Sequence, residues 1–317
     1  MNGFWRDFWF SVNTVAPLLG VMAVGYAARK GRLIDDVGVE QANSLVFHIF
    51  LPVLLCLNVM QTPVQLAVDS TVLVYAMLSV LGLFLLLFWL APRLCPAPAA
   101  RGVFIQGVGR SNYAIYGIPL VMMMYPGTDS SLPALMVVAV VPLFNLLSTV
   151  ALMVHSGTEV RLGRIVKGVL MNPLIFGTLL GFALWGLRWQ PPAAILKPFT
   201  MLGSVATPLA LFLLGASLDF HKARANFRLL WMGVAGRLVL APLVLLGGAV
   251  LLGIRDVGLG TLLAVFASPT AVSSYPMAQQ MGGDADLAAA QVVFTTALSS
   301  VTMFLWIFAF RLLGWVG

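Results

Sequence analysis

Charge is what this chain has least of. Only 9% of its 317 residues are Asp, Glu, Lys or Arg, against about 25% in soluble domains. With 60% apolar residues and a mean hydropathy of +0.98, it could not cover its own surface with polar groups. That excludes a soluble globule and leaves an all-α integral membrane protein. Cysteine is nearly absent: Cys56 falls within an apolar run and Cys95 between runs, so neither a disulfide framework nor a thiolate site is expected. Carboxylates are missing from mid-span. Asp7, Asp35, Asp36, Glu40, Asp69, Asp129, Glu159, Asp219, Asp256, Asp284 and Asp286 all fall in connections or at run ends. A cation/proton antiporter carries its proton on a mid-depth carboxylate, so that activity is disfavoured. There is no GxxxxGK(S/T) phosphate loop, no HExxH pair and no aspartate cluster to hold a metal–pyrophosphate. Enzyme chemistry lacks its groups, and no cofactor or metal is expected.

What is there is a succession of apolar runs. Ten spans of about 20 residues begin near Phe8, Val39, Val68, Gly102, Leu132, Leu162, Ala193, Phe227, Gly258 and Asp286. The first, over 8–28, is too long for a signal peptide and is followed by many like it. The net charge of +7 does not point to nucleic acid, because the basic residues sit in short connections. Alternate connections hold Arg29, Lys30 and Arg32; Arg93 and Arg101; Arg161, Arg164 and Lys167; and Lys222, Arg224 and Arg228. The opposite side holds Arg6, Arg188, Lys197, Arg255 and Arg311. Cytoplasmic loops are rich in Lys and Arg, which places both termini in the periplasm of a bacterial inner membrane.

The sequence also repeats. Pro17, Gly25 and Pro52 recur 156 residues later as Pro173, Gly181 and Pro208, and Ser111 and Pro119 recur 157 residues later as Ser268 and Pro276. The unit is five spans, over 1–157 and 158–317. Five is odd, so the second half is inverted relative to the first. Inverted repeats with interrupted helices in matching positions mark secondary transporters.

Spans four and nine are the interrupted ones. RSNYAIYGIP (110–119) and SPTAVSSYP (268–276) each place serine eight residues before proline, with small or hydroxyl residues between. Proline removes a donor inside a helix but suits a helix start. Half-helices are therefore expected to begin near Pro119 and Pro276, with unwound backbone just before each; Gly117, Ser268 and Pro269 belong to the same breaks. Free N–H groups at a half-helix start suit a carboxylate, and unwound carbonyls suit a cation. Single kinks are explained by Ser and Asn bonding to freed carbonyls, but a symmetric pair favours a binding site. The candidate substrate-binding residues are Arg110, Ser111, Asn112, Tyr113, Tyr116, Thr270, Ser273, Ser274 and Tyr275.

Arg110 and Arg237 lie inside spans. Each is open to two readings: attraction of an anion, or a structural role through snorkelling or neutralising a carbonyl helix end. Anion uptake against a negative interior needs a coupled cation, H+ or Na+. The coupling candidates are His48, Gln279, Thr295 and Thr296, although a lone histidine is more often a packing residue. Asn43, Asn58, Gln106, Asn145, Gln280, Ser299 and Ser300 are further polar positions of low individual weight.

Five stretches carry a family resemblance: NSLVFHIFLPVLL (43–55), RSNYAIYGIPL (110–120), MNPLIFGTLLG (171–181), TPLALFLLGASL (207–218) and SPTAVSSYPMAQQMGGDADLAAAQVVFTTALSS (268–300). In this order, over most of the chain, they resemble the auxin efflux carrier family, which includes bacterial malate and malonate permease-like proteins and the plant PIN exporters. The resemblance implies ten helices in two inverted five-helix repeats, with broken helices four and nine crossing. It also implies a scaffold of helices 1, 2, 6 and 7 that serves as a homodimer surface, and a transport unit of helices 3, 4, 5, 8, 9 and 10 moving as an elevator. The family asparagine before the first crossover matches Asn112; the second crossover here has Pro269, Thr270 and Ala271 instead. The expected function is secondary transport of a small organic anion, a mono- or dicarboxylate. The rival is a membrane sensor that binds a carboxylate without moving it.

Overall fold

In lipid every backbone N–H and C=O must be paired within the chain, so long apolar runs fold as helices. A computed structural model describes residues 3–62, 70–128, 131–156, 162–189, 191–219 and 226–316. Among them regular structure is helical throughout, apart from one isolated bridge between Ser111 and Thr270. Arg161, Lys222 and Arg224 of the charge pattern, and Asp69, Asp129 and Glu159 of the carboxylates, lie outside the described residues.

The helices in chain order are α1 (Gly3–Lys30), α2 (Asp36–Met60), α3 (Ser70–Leu94), α4 (Pro98–Gly109), α5 (Tyr113–Met124), α6 (Ser131–Val154) and α7 (Leu162–Leu170). They continue with α8 (Pro173–Gly186), α9 (Ala193–Ala216), α10 (Phe227–Leu251), α11 (Asp256–Ala267), α12 (Ser274–Gln280) and α13 (Ala285–Leu312). Among the described residues six of these, α2, α3, α6, α9, α10 and α13, are long and apolar enough to cross a membrane. Shorter apolar helices, α5, α8 and α11, lie among them.

Their ends follow from local chemistry. The Asp35 carboxylate accepts from Gly38 N at 2.8 Å, Asn172 Oδ1 from Leu174 N at 2.9 Å, and Asp284 Oδ1 from Leu287 N at 2.9 Å. Each satisfies an N–H that the first helical turn leaves free. Two helices contain a widened π turn, Val46–Phe50 in α2 and Gly236–Leu240 in α10. Both turns end two residues before a proline, Pro52 and Pro242. A mid-helix proline lacks the donor for its own turn and collides with the carbonyl four residues back, and an extra residue in the turn relieves that collision.

Glycine sets the closest approaches. A Cβ on Gly25 of α1 would overlap the Phe212 carbonyl of α9, and one on Gly181 of α8 would fall 2.7 Å from the Cys56 carbonyl oxygen of α2. Small residues let membrane helices pack backbone against backbone. So α1 lies on α9, and α2 lies on α8 and α9. Elsewhere α4 packs on α3 and α6, α11 on α5 and α10, and α13 on α1 and α12.

Candidate functional site

Two helix pairs, α4–α5 and α11–α12, are interrupted where they meet. α4 ends at Gly109, and Arg110 is extended (φ −96°, ψ 121°). On the other strand Ser268 is extended (φ −62°, ψ 150°) after α11. The two unwound stretches then pair antiparallel: Ser111 bridges Thr270, and Asn112 N donates to Pro269 O at 2.8 Å. Thr270 Oγ1 donates to Gly107 O at 2.6 Å, and Thr270 N donates to Thr295 Oγ1 of α13 at 3.2 Å. Backbone that neither helix can satisfy is thus satisfied by the other chain segment and by hydroxyls.

The break falls earlier than the prolines indicate. α5 starts at Tyr113, where Asn112 O accepts from Ile115 N at 3.1 Å, so Gly117 and Pro119 lie inside α5. Pro119 is exposed on the outer face. Gly117 has a packing role, since a Cβ there would meet the Tyr113 ring at 2.5–2.9 Å. In the second break α12 starts at Ser274, with Pro276 in its first turn.

The two intramembrane arginines separate cleanly. Arg237, in the π turn of α10, is 1% exposed. Its guanidinium donates to Ser268 O (2.8 Å), Val108 O (3.0 Å), Val265 O (3.1 Å) and Phe266 O (2.8 Å). The Val108, Val265 and Phe266 carbonyls lie in the last turns of α4 and α11, where the helix supplies no donor and the dipoles end negative, and Ser268 follows α11 directly. One fixed cation therefore closes both half-helices. Arg110 is 3% exposed and has a different set of partners. It donates to Asn145 Oδ1 (2.5 Å), Ser273 Oγ (2.7 Å) and Met277 Sδ, all side-chain atoms. Among the described residues it forms no ion pair with a carboxylate.

A cavity of about 60 Å³ lies beside Arg110. Ser111, Asn112 and Ser273 line it from the crossover, Asn58, Leu51 and Leu55 from α2, Thr207 and Ala210 from α9, and Phe144 from α6. Ser111 Oγ and Asn112 Nδ2 are buried here without a partner. Unpaired buried polar atoms cost about 1–3 kcal/mol each, and both of these border the cavity. With the guanidinium and the Thr207 and Asn58 side chains, they give a set of donors suited to a carboxylate, which accepts only.

The other sequence candidates point elsewhere. Tyr113 is buried and donates to Pro133 O at 2.9 Å. Tyr116 is buried on α5 away from the cavity lining. Ser274 is buried, and its carbonyl accepts from Gln106 Nε2 at 3.0 Å. Tyr275 bonds Ser217 at the end of α9, and Gln279 accepts from Asn43 of α2, so α12 is fastened to both neighbours. Thr295 is occupied by Thr270 N, while the Thr296 hydroxyl is buried and unpaired. His48 is exposed on a separate outer groove of about 560 Å³ between α2, α8 and α9, its Nδ1 2.9 Å from Ser44 O. Thr207 is not among the site residues that the sequence singles out. Its one local signal is a hydroxyl directly before Pro208 in an otherwise apolar run.

A bundle of apolar helices, six of them among the described residues long enough to cross a membrane, with two interrupted pairs meeting beside a buried arginine, is the build of a multi-span membrane protein. The family model described as "Membrane transport protein" matches residues 10–166 and 158–307. The chain belongs to that family, the auxin efflux carriers that its sequence resembles, and it is a membrane transporter and not an enzyme. A Rhizobium meliloti (strain 1021) protein named "Putative malonate transporter" is 26% identical over 307 residues, 91% of this chain and 92% of that protein. A Methanothermobacter thermautotrophicus protein named "Uncharacterized transporter" is 22% identical over 305 residues, 94% of this chain and 98% of that one.

Proposed function

We propose that the protein is a secondary transporter of a small carboxylate, taken up at the crossover between Arg110, Ser111, Asn112 and Ser273. The observation that carries this is Arg110, a buried cation with no ion-pair partner among the described residues, beside a cavity with two unpaired polar groups. The start of α5 adds about half a positive charge. A dicarboxylate such as malonate or malate suits this excess better than a monocarboxylate such as an auxin-like acid, and the name of the Rhizobium relative agrees.

Ten spans in two inverted repeats follow when α4–α5, α7–α8 and α11–α12 each count as one span. Two equivalences support the repeat. Gly25 lies on Phe212 and Gly181 lies on Cys56; each residue of one pair is 156 positions from its counterpart in the other, Gly25 from Gly181 and Cys56 from Phe212. Asn112 and Pro269, which bond each other, are 157 residues apart, so the pseudo-twofold axis runs between them. A scaffold of α1, α2, α7, α8 and α9 also serves as the dimer surface, with both termini periplasmic in an inner membrane. The remaining helices move against it. The small size of the cavity, about 60 Å³ against roughly 300 Å³ or more for pockets that hold drug-sized ligands, supports such movement. With the cell interior negative, export gains about 2.3 kcal/mol per charge per 100 mV; import needs H+ or Na+.

Proteoliposomes loaded against a panel of labelled mono- and dicarboxylates test the reading. Saturable flux of a dicarboxylate, competed by its unlabelled form, is expected. Binding of a carboxylate with no flux of any would make the protein a sensor and overturn the proposal.

A further inference from the structure

We infer that the groove between α3 and α10 is a binding site for one anionic phospholipid, its head group at Arg93 and Arg228 and an acyl chain along the groove. The inference needs only the membrane embedding of the chain, and holds whichever solute is carried.

The groove holds about 540 Å³. Leu86 and Leu90 of α3 and Met232 and Val244 of α10 form its walls, and Phe104 and Val108 of α4 its floor. Ser79 is the lone hydroxyl among the lining residues. Leu86 is 54% exposed and Val244 69% exposed, so the walls stand open toward lipid. Gly82 leaves a gap in the α3 wall: a Cβ there would meet nothing within 4 Å. From Ser79 to Leu94 the groove runs 15 residues of helix, about 22 Å at 1.5 Å per residue. One leaflet of hydrocarbon is about 15 Å deep, so the groove accommodates an acyl chain over its whole depth.

Charge selects the occupant. α3 and α10 are antiparallel, with Tyr75 Oη donating to Leu245 O at 2.5 Å near one end of the groove. At the other end both walls finish in arginine. Arg93 follows Leu90 by three residues and Leu86 by seven, and Arg228 precedes Met232 by four, so both continue the groove face of their helices. Among the described residues neither forms an ion pair, and both are exposed. Arg93 lies over the Trp89 ring at 4.0 Å, and Trp89 is 58% exposed, an aromatic at the depth where indoles meet head groups. Basic pockets between membrane helices on the side rich in Lys and Arg hold anionic head groups. The floor gives the site a consequence: Val108 is the residue whose carbonyl Arg237 holds, and Gly236 packs against it. A chain in the groove therefore presses on the wall directly behind the crossover.

The test uses the full chain purified in a zwitterionic detergent, with native mass spectrometry following titration of phosphatidylglycerol or phosphatidylcholine. Each basic residue near an anionic surface is worth about fivefold, so R93Q/R228Q should bind phosphatidylglycerol roughly thirtyfold more weakly. The control R188Q/K197Q, with the same loss of charge elsewhere, should bind as wild type. Gly82→Phe, which fills the gap, should lose the lipid with either head group. Equal affinity of the wild type for the two lipids, or an R93Q/R228Q affinity like that of the control, would overturn the inference. So would Gly82→Phe retaining phosphatidylglycerol, or separating two copies of the chain while lipid binding stays intact. Both arginines are exposed, so their variant decides the matter even where Gly82→Phe does not fold.

Discussion

Replacing Arg237 by methionine should cost fold stability, whereas the same change at Arg110 should cost transport. Arg237 gives four hydrogen bonds, all to backbone carbonyls of α4, α11 and the Ser268 turn. A bond to a charged group contributes about 1.5–3 kcal/mol, or roughly 6–12 kcal/mol for the set. Returning the guanidinium to water offsets several kcal/mol of that, leaving a net loss of about 3–5 kcal/mol. For a chain of this size that is roughly 6–10 °C in Tm. Arg110 holds only side-chain atoms, and Ser273 borders the cavity and can turn toward water there. Its loss should cost about 1–2 kcal/mol in stability and abolish solute flux. Thermal unfolding of the purified variants, alongside flux in proteoliposomes, separates the two. An Arg237→Met protein that melts within about 1 °C of wild type, or an Arg110→Met protein with normal flux, would refute this division of roles.

Four further outcomes are expected. Asn112→Ala removes one unpaired donor at the cavity and should weaken solute affinity by roughly 10–100-fold, read as KM in proteoliposomes, with little change in melting. His48→Gln should leave flux and its pH dependence unchanged, because the ring lies on the outer groove and not at the crossover. Gly181→Ala should destabilise by about 1–3 kcal/mol, since its Cβ would meet Cys56 backbone; Gly186→Ala, with open space, should be neutral or slightly stabilising in the same melting assay. His155 follows α6, and burial, reinforced by the Arg101 charge, lowers its pKa. A base with a lowered folded pKa supports the fold fully above its unfolded value of about 6.5 and progressively less as pH falls below it. Melting temperature should therefore drop on acidification through that range, and His155→Gln should flatten the drop.

The interruptions in the two helix pairs were legible because serine, asparagine and proline are conspicuous in apolar runs. Their register was not. Proline at 119 suggested a helix start there, yet Tyr113 begins α5, since Asn112 is satisfied by Pro269, a residue 157 positions away. Composition cannot show a partner at that distance. The same holds for the arginines: two basic residues inside apolar runs look alike, and only the carbonyls of Val108 and Phe266 around one and the side chains of Asn145 and Ser273 around the other tell them apart. Tyr275 neighbours the second break in sequence, and only the fold shows that its hydroxyl reaches Ser217 at the end of α9. Glycine contacts were half visible: the recurrence of Gly25 as Gly181 was read from spacing, while the backbone each one meets was not.

The two hydrogen bonds that join α12 to α2 and to the end of α9, Asn43 to Gln279 and Ser217 to Tyr275, link neutral groups. Neutral hydrogen bonds are worth about 1 kcal/mol each in net terms. Together they tie α12 to α2 and to the end of α9 by about 2 kcal/mol, apart from the bonds that Gln106 and Arg110 make to the same helix. A buried ion pair in place of these neutral links would be far harder to part, because each charge would be left unpaired in the interior. On the proposed elevator reading, links this light would let the moving helices leave α2 and α9 without a large barrier.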